Sequence, residues 1–166
     1  MYWLHGRGGA QSGLPAFCDR MTAAIEAGAC PEMITVFVNG LPSGGDTDSS
    51  DGKWPVESVT IKDLIPHIDA TYRTIPTREA RLVEGFSMGG NGAARWGLKY
   101  PDLFGSIGIF AGALHDADSL AQRGGDDYIA SRYGTVENFE ASSPWNLAVK
   151  NADQVRDRTV IRITVG

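Results

Sequence analysis

The pentapeptide Gly85-Phe86-Ser87-Met88-Gly89 constrains this chain more than any other stretch. It joins Arg81-Leu82-Val83-Glu84, which reads as a strand, to residues 91–100, which read as a helix. A serine at the apex of a strand-to-helix turn, with glycine two positions to either side, forms a nucleophile elbow. The backbone at such a serine is strained, and a side chain at position 85 or 89 would crowd it. In a chain with 21 glycines the pentapeptide alone is a weak signal. Its strand–turn–helix setting gives it weight.

Apolar runs alternate with amphipathic stretches along the whole chain. Tyr2-Trp3-Leu4 reads as the end of a strand running into the turn Gly6-Arg7-Gly8-Gly9. The spacing predicts a helix over 15–27 with Phe17, Met21, Ala24 and Ile25 on one face. Residues 34–38 form a β-branched strand, followed over 39–55 by a polar loop rich in Gly, Ser and Asp. A second helix is predicted over 56–73, burying Val59, Leu64, Ile65, Ile68 and Tyr72, with Pro66 as a kink. Beyond the elbow helix come a strand at 107–110, a polar loop-and-helix excursion over 112–143, a short helix at 146–155 and a strand at 160–165. Such excursions often cover active sites. Strands alternating with helices predict an α/β fold: a mostly parallel sheet with helices on both faces. We read residues 1–166 as one domain without repeat or linker.

Composition narrows the chemistry. A net charge of −5, with no cluster of Lys or Arg, argues against a nucleic-acid surface. No apolar run approaches a membrane span, and Met1-Tyr2-Trp3-Leu4-His5 lacks the basic start of a signal peptide. The compartment stays open. Cys18 and Cys30 are separated mostly by predicted helix, which holds them too far apart to bond, so both read as buried thiols. Asp46, Asp48, Asp51, Gly52 and Glu57 resemble a calcium loop, but the glycine falls at position 7 instead of 6. A solvated acidic loop without metal is the better reading.

A serine hydroxyl becomes a nucleophile when a base takes its proton and a third group orients that base. An elbow presents Ser87 beyond the carboxyl ends of the strands, and the N–H of Met88 then points at a developing oxyanion. The second donor in such a site comes from the loop after an earlier strand. The turn 6–9 has that position, with the N–H of Arg7 (or of Gly8) as the candidate. An ordinary tight turn is the plainer reading of the same glycines.

Three stretches together resemble the esterase-D-like α/β hydrolases. They are Tyr2-Trp3-Leu4-His5-Gly6 with Gly8-Gly9, Asp63-Leu64-Ile65-Pro66-His67-Ile68-Asp69, and Gly85 to Gly90, with Tyr100-Pro101-Asp102-Leu103-Phe104-Gly105 following. That group includes feruloyl and acetyl-xylan esterases, S-formylglutathione hydrolases and mycolyltransferases. The resemblance implies an α/β-hydrolase fold and a serine carboxylesterase without cofactor. It would cleave acyl or aryl esters, small or carbohydrate-linked, through an acyl-enzyme on Ser87, with oxyanion donors at Arg7 and Met88. The family's acid follows a strand that 160–166 resembles, so the acid is expected just after Gly166 and the histidine later still. The first strands are likewise expected before Tyr2, and 1–166 then represents part of the domain.

Within the chain, His5 reads as a residue that shapes the turn, and His67 as a helix-surface residue. His115, beside Asp116 and Asp118, follows a strand and is a candidate for lining the substrate site. Adjacent residues rarely adopt the base–orienter geometry, so a triad within the chain is the lesser reading. Trp54 and Trp145 are further candidates for lining the substrate, with ordinary packing as their alternative. The alternatives for function are an incomplete, catalytically incompetent hydrolase and an acyltransferase of the same fold. Self-association that completes the site is a third.

Overall fold

The structure is a computed structural model that describes residues 1–9, 14–41, 44–122 and 126–165. Its strands are short and rich in aromatic and β-branched residues: β1 (Tyr2–Leu4), β2 (Val36–Val38), β3 (Leu82–Phe86), β4 (Ser106–Phe110) and β5 (Val160–Thr164). All pair in parallel, in the order β2-β1-β3-β4-β5. The chain leaves β1 toward β2 on one side and returns to place β3 on the other. The strand order therefore reverses between β1 and β3, the position where open α/β sheets form a crevice at their carboxyl ends.

The helix after the elbow, α4 (Met88–Lys99), packs on one face of the sheet. Tyr2, Leu4, Val83, Ile107 and Ile109 point into it, and Ala93, Ala94, Trp96, Leu98 and Phe104 complete the core. Small residues let α4 approach closely: a Cβ at Gly97 would run into the Ile107 side chain. Burying Trp96 and Phe104 stabilises this layer by roughly 3 kcal/mol each. On the opposite face, Phe17 of α1 (Leu14–Glu26) stacks against Trp3 and Phe37, with centroids 4.9 and 5.2 Å away. The predicted face of α1 holds: Phe17, Met21, Ala24 and Ile25 are half-buried while their neighbours are exposed.

The second predicted helix is interrupted. It consists of α2 (Val56–Val59), a π-helical turn (Thr60–Leu64) and α3 (Ile65–Thr71). Pro66 has no N–H and its ring would crowd the carbonyl four residues back, so a widened turn before it relieves both defects. Glu57, Thr60 and Ile65 are buried, whereas Val59 and Tyr72 are exposed, contrary to expectation. Val59 lies off the buried stripe, and Tyr72 is extended backbone beyond the helix end. Arg81 Nη2 bonds Asp69 Oδ2 at 2.6 Å, tying α3 to the start of β3.

Other expectations need correction. Cys18 is exposed on the polar side of α1 and Cys30 is half-buried; both are free. The excursion contains α5 (Ala117–Ala121), α6 (Asp126–Tyr133) and α7 (Val136–Ser142). The helix expected at 146–155 is two, α8 (Pro144–Lys150) and α9 (Ala152–Val155), broken at Asn151. The loop read as solvated is buried from residue 44 to 47 and again at Ser49.

Candidate active site

Parallel pairing aligns Leu4 with Gly85, so the segments leaving β1 and β3 emerge side by side at the sheet's carboxyl edge. One is the turn 6–9, the other the elbow. Ser87 has φ 55° and ψ −111°, a backbone region that a non-glycine residue enters only under constraint. Three hydrogen bonds hold it there. Its N–H donates to Phe110 O at 2.8 Å, and its carbonyl accepts from Asn91 N at 3.1 Å and Ala113 N at 3.0 Å.

The glycines on either side are required by contact. A Cβ at Gly89 would strike the carbonyl of Leu4 and lie 2.7 Å from that of His5. A Cβ at Gly85 would lie 2.9 Å from Leu4 O. The elbow is thus pressed directly against the end of β1. Met88 begins α4, where first-turn amides have no intrahelical acceptor, and its side chain is buried.

The turn beside it is closed by Gly9 N donating to Gly6 O at 2.8 Å. Gly8 has φ +70°, which at the third position of a four-residue turn is the type II pattern. A Cβ at Gly6 would lie 3.0 Å from the Phe86 ring, so this turn also rests on the elbow. His5 folds over it: Nδ1 lies 2.8 Å from Gly6 O and therefore carries the ring proton. Arg7 is exposed at the turn's second position.

A polar cluster supports this assembly from behind α4. Arg95 is almost fully buried; its guanidinium donates to Gly45 O at 3.0 Å, to Asp46 O, and to Tyr133 Oη at 3.1 Å. Glu57 answers its charge, with Oε2 3.5 Å from Arg95 Nε. Glu57 also accepts from Lys99 Nζ and, at 2.6 Å, from Tyr100 Oη. Trp96 Nε1 donates to Asp46 O at 2.8 Å. These bonds draw residues 44–49 inward, which is why a polar loop is buried. Sequence reading missed Arg95. A lone cation inside the apolar run Ala93-Ala94-Arg95-Trp96-Gly97-Leu98 was the available signal.

Of the carboxylates in the calcium-like loop, Asp48, Asp51 and Glu57 serve separate partners. Asp48 accepts from Ser58 N at 2.9 Å, Asp51 from Ser49 Oγ at 2.7 Å, and Glu57 as described. Among the described residues no group of three His, Cys, Asp or Glu side chains converges.

His115 sits half-buried two residues beyond Ala113, the residue bonded to Ser87 O. Asp116 Oδ1 accepts from Ser119 N at 2.7 Å and so caps α5. That bond, with a smaller contribution from the His115 ring, holds its carboxyl below the usual range. Trp54 and Trp145 are both about half exposed, the first in the loop before α2 and the second in the first turn of α8. No hydrogen bond joins either to Ser87 among the described residues. His67 is exposed on α3. A cavity lined by Met1, Ile34, Arg73, Arg81 and Leu82 opens at the amino ends of the strands, opposite the elbow.

A family model described as a putative esterase matches residues 1–166. The chain is 28% identical over 158 residues to an endo-1,4-beta-xylanase/feruloyl esterase of Xylanibacter ruminicola, covering 92% of this chain and 22% of that protein. It is 41% identical over 56 residues to an esterase of Mycobacterium tuberculosis, covering 34% of this chain and 12% of that one. The chain therefore spans a small part of the length of both relatives. Among solved structures, it superposes on the fluorophosphonate-binding serine hydrolase FphF of Staphylococcus aureus with a TM-score of 0.74 at 14% identity, covering 98% of this chain and 62% of that one. A ferulic acid esterase gives a TM-score of 0.63 at 20% identity, covering 99% and 76%. Both carry the same α/β-hydrolase fold. With a family match running from residue 1 to residue 166, the chain belongs to the putative esterase family.

Proposed function

We propose that the protein is a serine carboxylesterase that cleaves acyl or aryl esters through an acyl-enzyme on Ser87. The observation that carries this reading is the constrained backbone of Ser87 (φ 55°) at the carboxyl end of β3, beside the glycine turn that follows β1. Ser87 Oγ attacks the ester carbonyl carbon and its proton passes to a general base. The N–H groups of Met88 and Arg7 stabilise the resulting oxyanion, and the alcohol leaves with the proton held by the base. Water then enters by the reverse path and releases the acid. Transfer to an alcohol other than water uses the same intermediate.

The relatives' names support feruloyl and related esters as the substrate class. His5 is bonded to its own turn and His67 is exposed on α3. The reading therefore assigns the role of base to neither of them, and takes His115, Trp54 and Trp145 as residues that line the ester. The test is hydrolysis of methyl ferulate and p-nitrophenyl acetate by the protein as its gene encodes it. Turnover should fall by roughly a thousandfold or more in Ser87→Ala. Unchanged turnover in that variant would overturn the assignment, and absence of turnover in the folded wild type would favour an incompetent hydrolase.

A further inference from the structure

Phe86 and Phe110 are register partners at the ends of β3 and β4, so Ser87 and Ala111 leave the sheet side by side. Both have a positive φ, 55° at Ser87 and 43° at Ala111. A non-glycine residue enters that region only where its surroundings hold it. At Ser87 those surroundings include the loop after β4, because Ala113 N donates to the serine carbonyl at 3.0 Å. The serine backbone is therefore held only as firmly as that loop.

By itself the loop is weakly built. Its internal bonds join residues two apart: Leu114 N donates to Gly112 O at 2.9 Å, and His115 N to Ala113 O at 3.0 Å. These are γ-turns, which close one small ring at a time. Support has to come from the elbow helix. A Cβ at Gly90 would lie 2.8 Å from Gly112 Cα, so α4 and the loop meet backbone to backbone. The next residue, Asn91, adds a directed bond: its Nδ2 donates to Ala113 O at 3.0 Å. A carbonyl oxygen only accepts, so the carboxamide presents its nitrogen here.

These bonds close a ring. Ser87 O accepts from Ala113 N, Ala113 O accepts from the Asn91 side chain, and Asn91 N donates back to Ser87 O at 3.1 Å. Because Ala113 O also accepts from His115 N, the half-buried Asn91 side chain reaches the backbone at His115 through the same atom.

We propose that Asn91 is a positioning residue for Ser87: its carboxamide clamps the loop after β4 to the elbow helix, so that Ala113 N–H holds the serine carbonyl. The role rests on reading Ser87 as the nucleophile of an esterase. Asn91 acts through Ala113 and needs no contact with the ester.

The test pairs amide hydrogen exchange with kinetics, on the protein as its gene encodes it. In the wild type the Ala113 amide should be protected from exchange. An unprotected Ala113 would overturn the proposal without any variant. Asn91→Ala and Asn91→Asp both remove the donor, and aspartate is nearly isosteric and suits the opening turn of a helix. In each, Ala113 should exchange at least about tenfold faster. With p-nitrophenyl acetate, kcat per folded protein should fall by about tenfold or more while KM stays within about twofold. A merely structural asparagine would lower the unfolding midpoint and leave kcat of the folded protein unchanged, and that result would overturn the proposal. A raised KM at unchanged kcat would overturn it as well. If Ala113 loses protection in the variants but the wild type turns over no ester and takes no fluorophosphonate label, the clamp stands. The esterase reading then fails, and the positioning role with it.

Discussion

Leu4 and Gly85 are register partners on adjacent parallel strands, and this pairing creates the candidate site. It delivers the glycine turn and the elbow to the same edge of the sheet, at the point where strand order reverses. The contact is close enough that Gly89 has no room for a methyl group against the Leu4 carbonyl. The strained serine and the turn beside it are therefore parts of one rigid unit.

Arg7 offers a selective probe of the oxyanion donors. It occupies the second position of a type II turn, where proline is favoured, so Arg7→Pro should fold while removing that N–H. If this amide is the donor, kcat should fall by about a hundredfold with little change in KM. Unchanged kcat would transfer the role to Gly8.

Ser87 carries strain that its function would require. Replacing it with glycine relieves the positive φ, whereas alanine retains it. Ser87→Gly should be more stable than Ser87→Ala by about 1 kcal/mol in urea unfolding. Equal stabilities would show that the backbone there is unstrained.

Glu57 and Arg95 form a buried ion pair that ties α2 and the loop at 44–49 to the elbow helix. Glu57→Gln leaves the guanidinium without its countercharge. It should cost about 3 kcal/mol in chemical denaturation. Arg95→Met combined with Glu57→Gln should cost less than the sum of the two single changes, because the isolated charge is gone.

Glu84 gives a pH-dependent prediction. Burial raises its carboxyl pKa, with Arg162 pulling it down by less. Its folded value lies above the unfolded one, so its stabilising contribution is present below the unfolded pKa and lost as pH rises through the folded one. Glu84→Gln should flatten that part of the stability profile, leaving the variant relatively more stable at neutral pH than at pH 4. A profile parallel to wild type would show that Glu84 is not perturbed.

Periodicity made the five strands, the elbow and the face of α1 legible, because each depends on residues near one another in sequence. What escaped depended on distant partners. The loop at 44–49 reads as solvent-facing from its composition, but Arg95 and Trp96, some fifty residues away, capture its carbonyls and pull it inside. Val59 and Tyr72 fit a continuous helix, yet Pro66 and the π-turn before it end that regularity. Cys18 was expected inside because free thiols are usually apolar, and it faces solvent because α1 presents only one narrow side to the sheet.

The central claim, that Ser87 is an activated nucleophile, is tested most directly by a covalent adduct. A fluorophosphonate probe is applied to the protein as its gene encodes it, and the modified residue is mapped by mass spectrometry. The account predicts one stoichiometric adduct on Ser87, absent in Ser87→Ala. A folded protein that takes no label, or takes it at another residue, would contradict it.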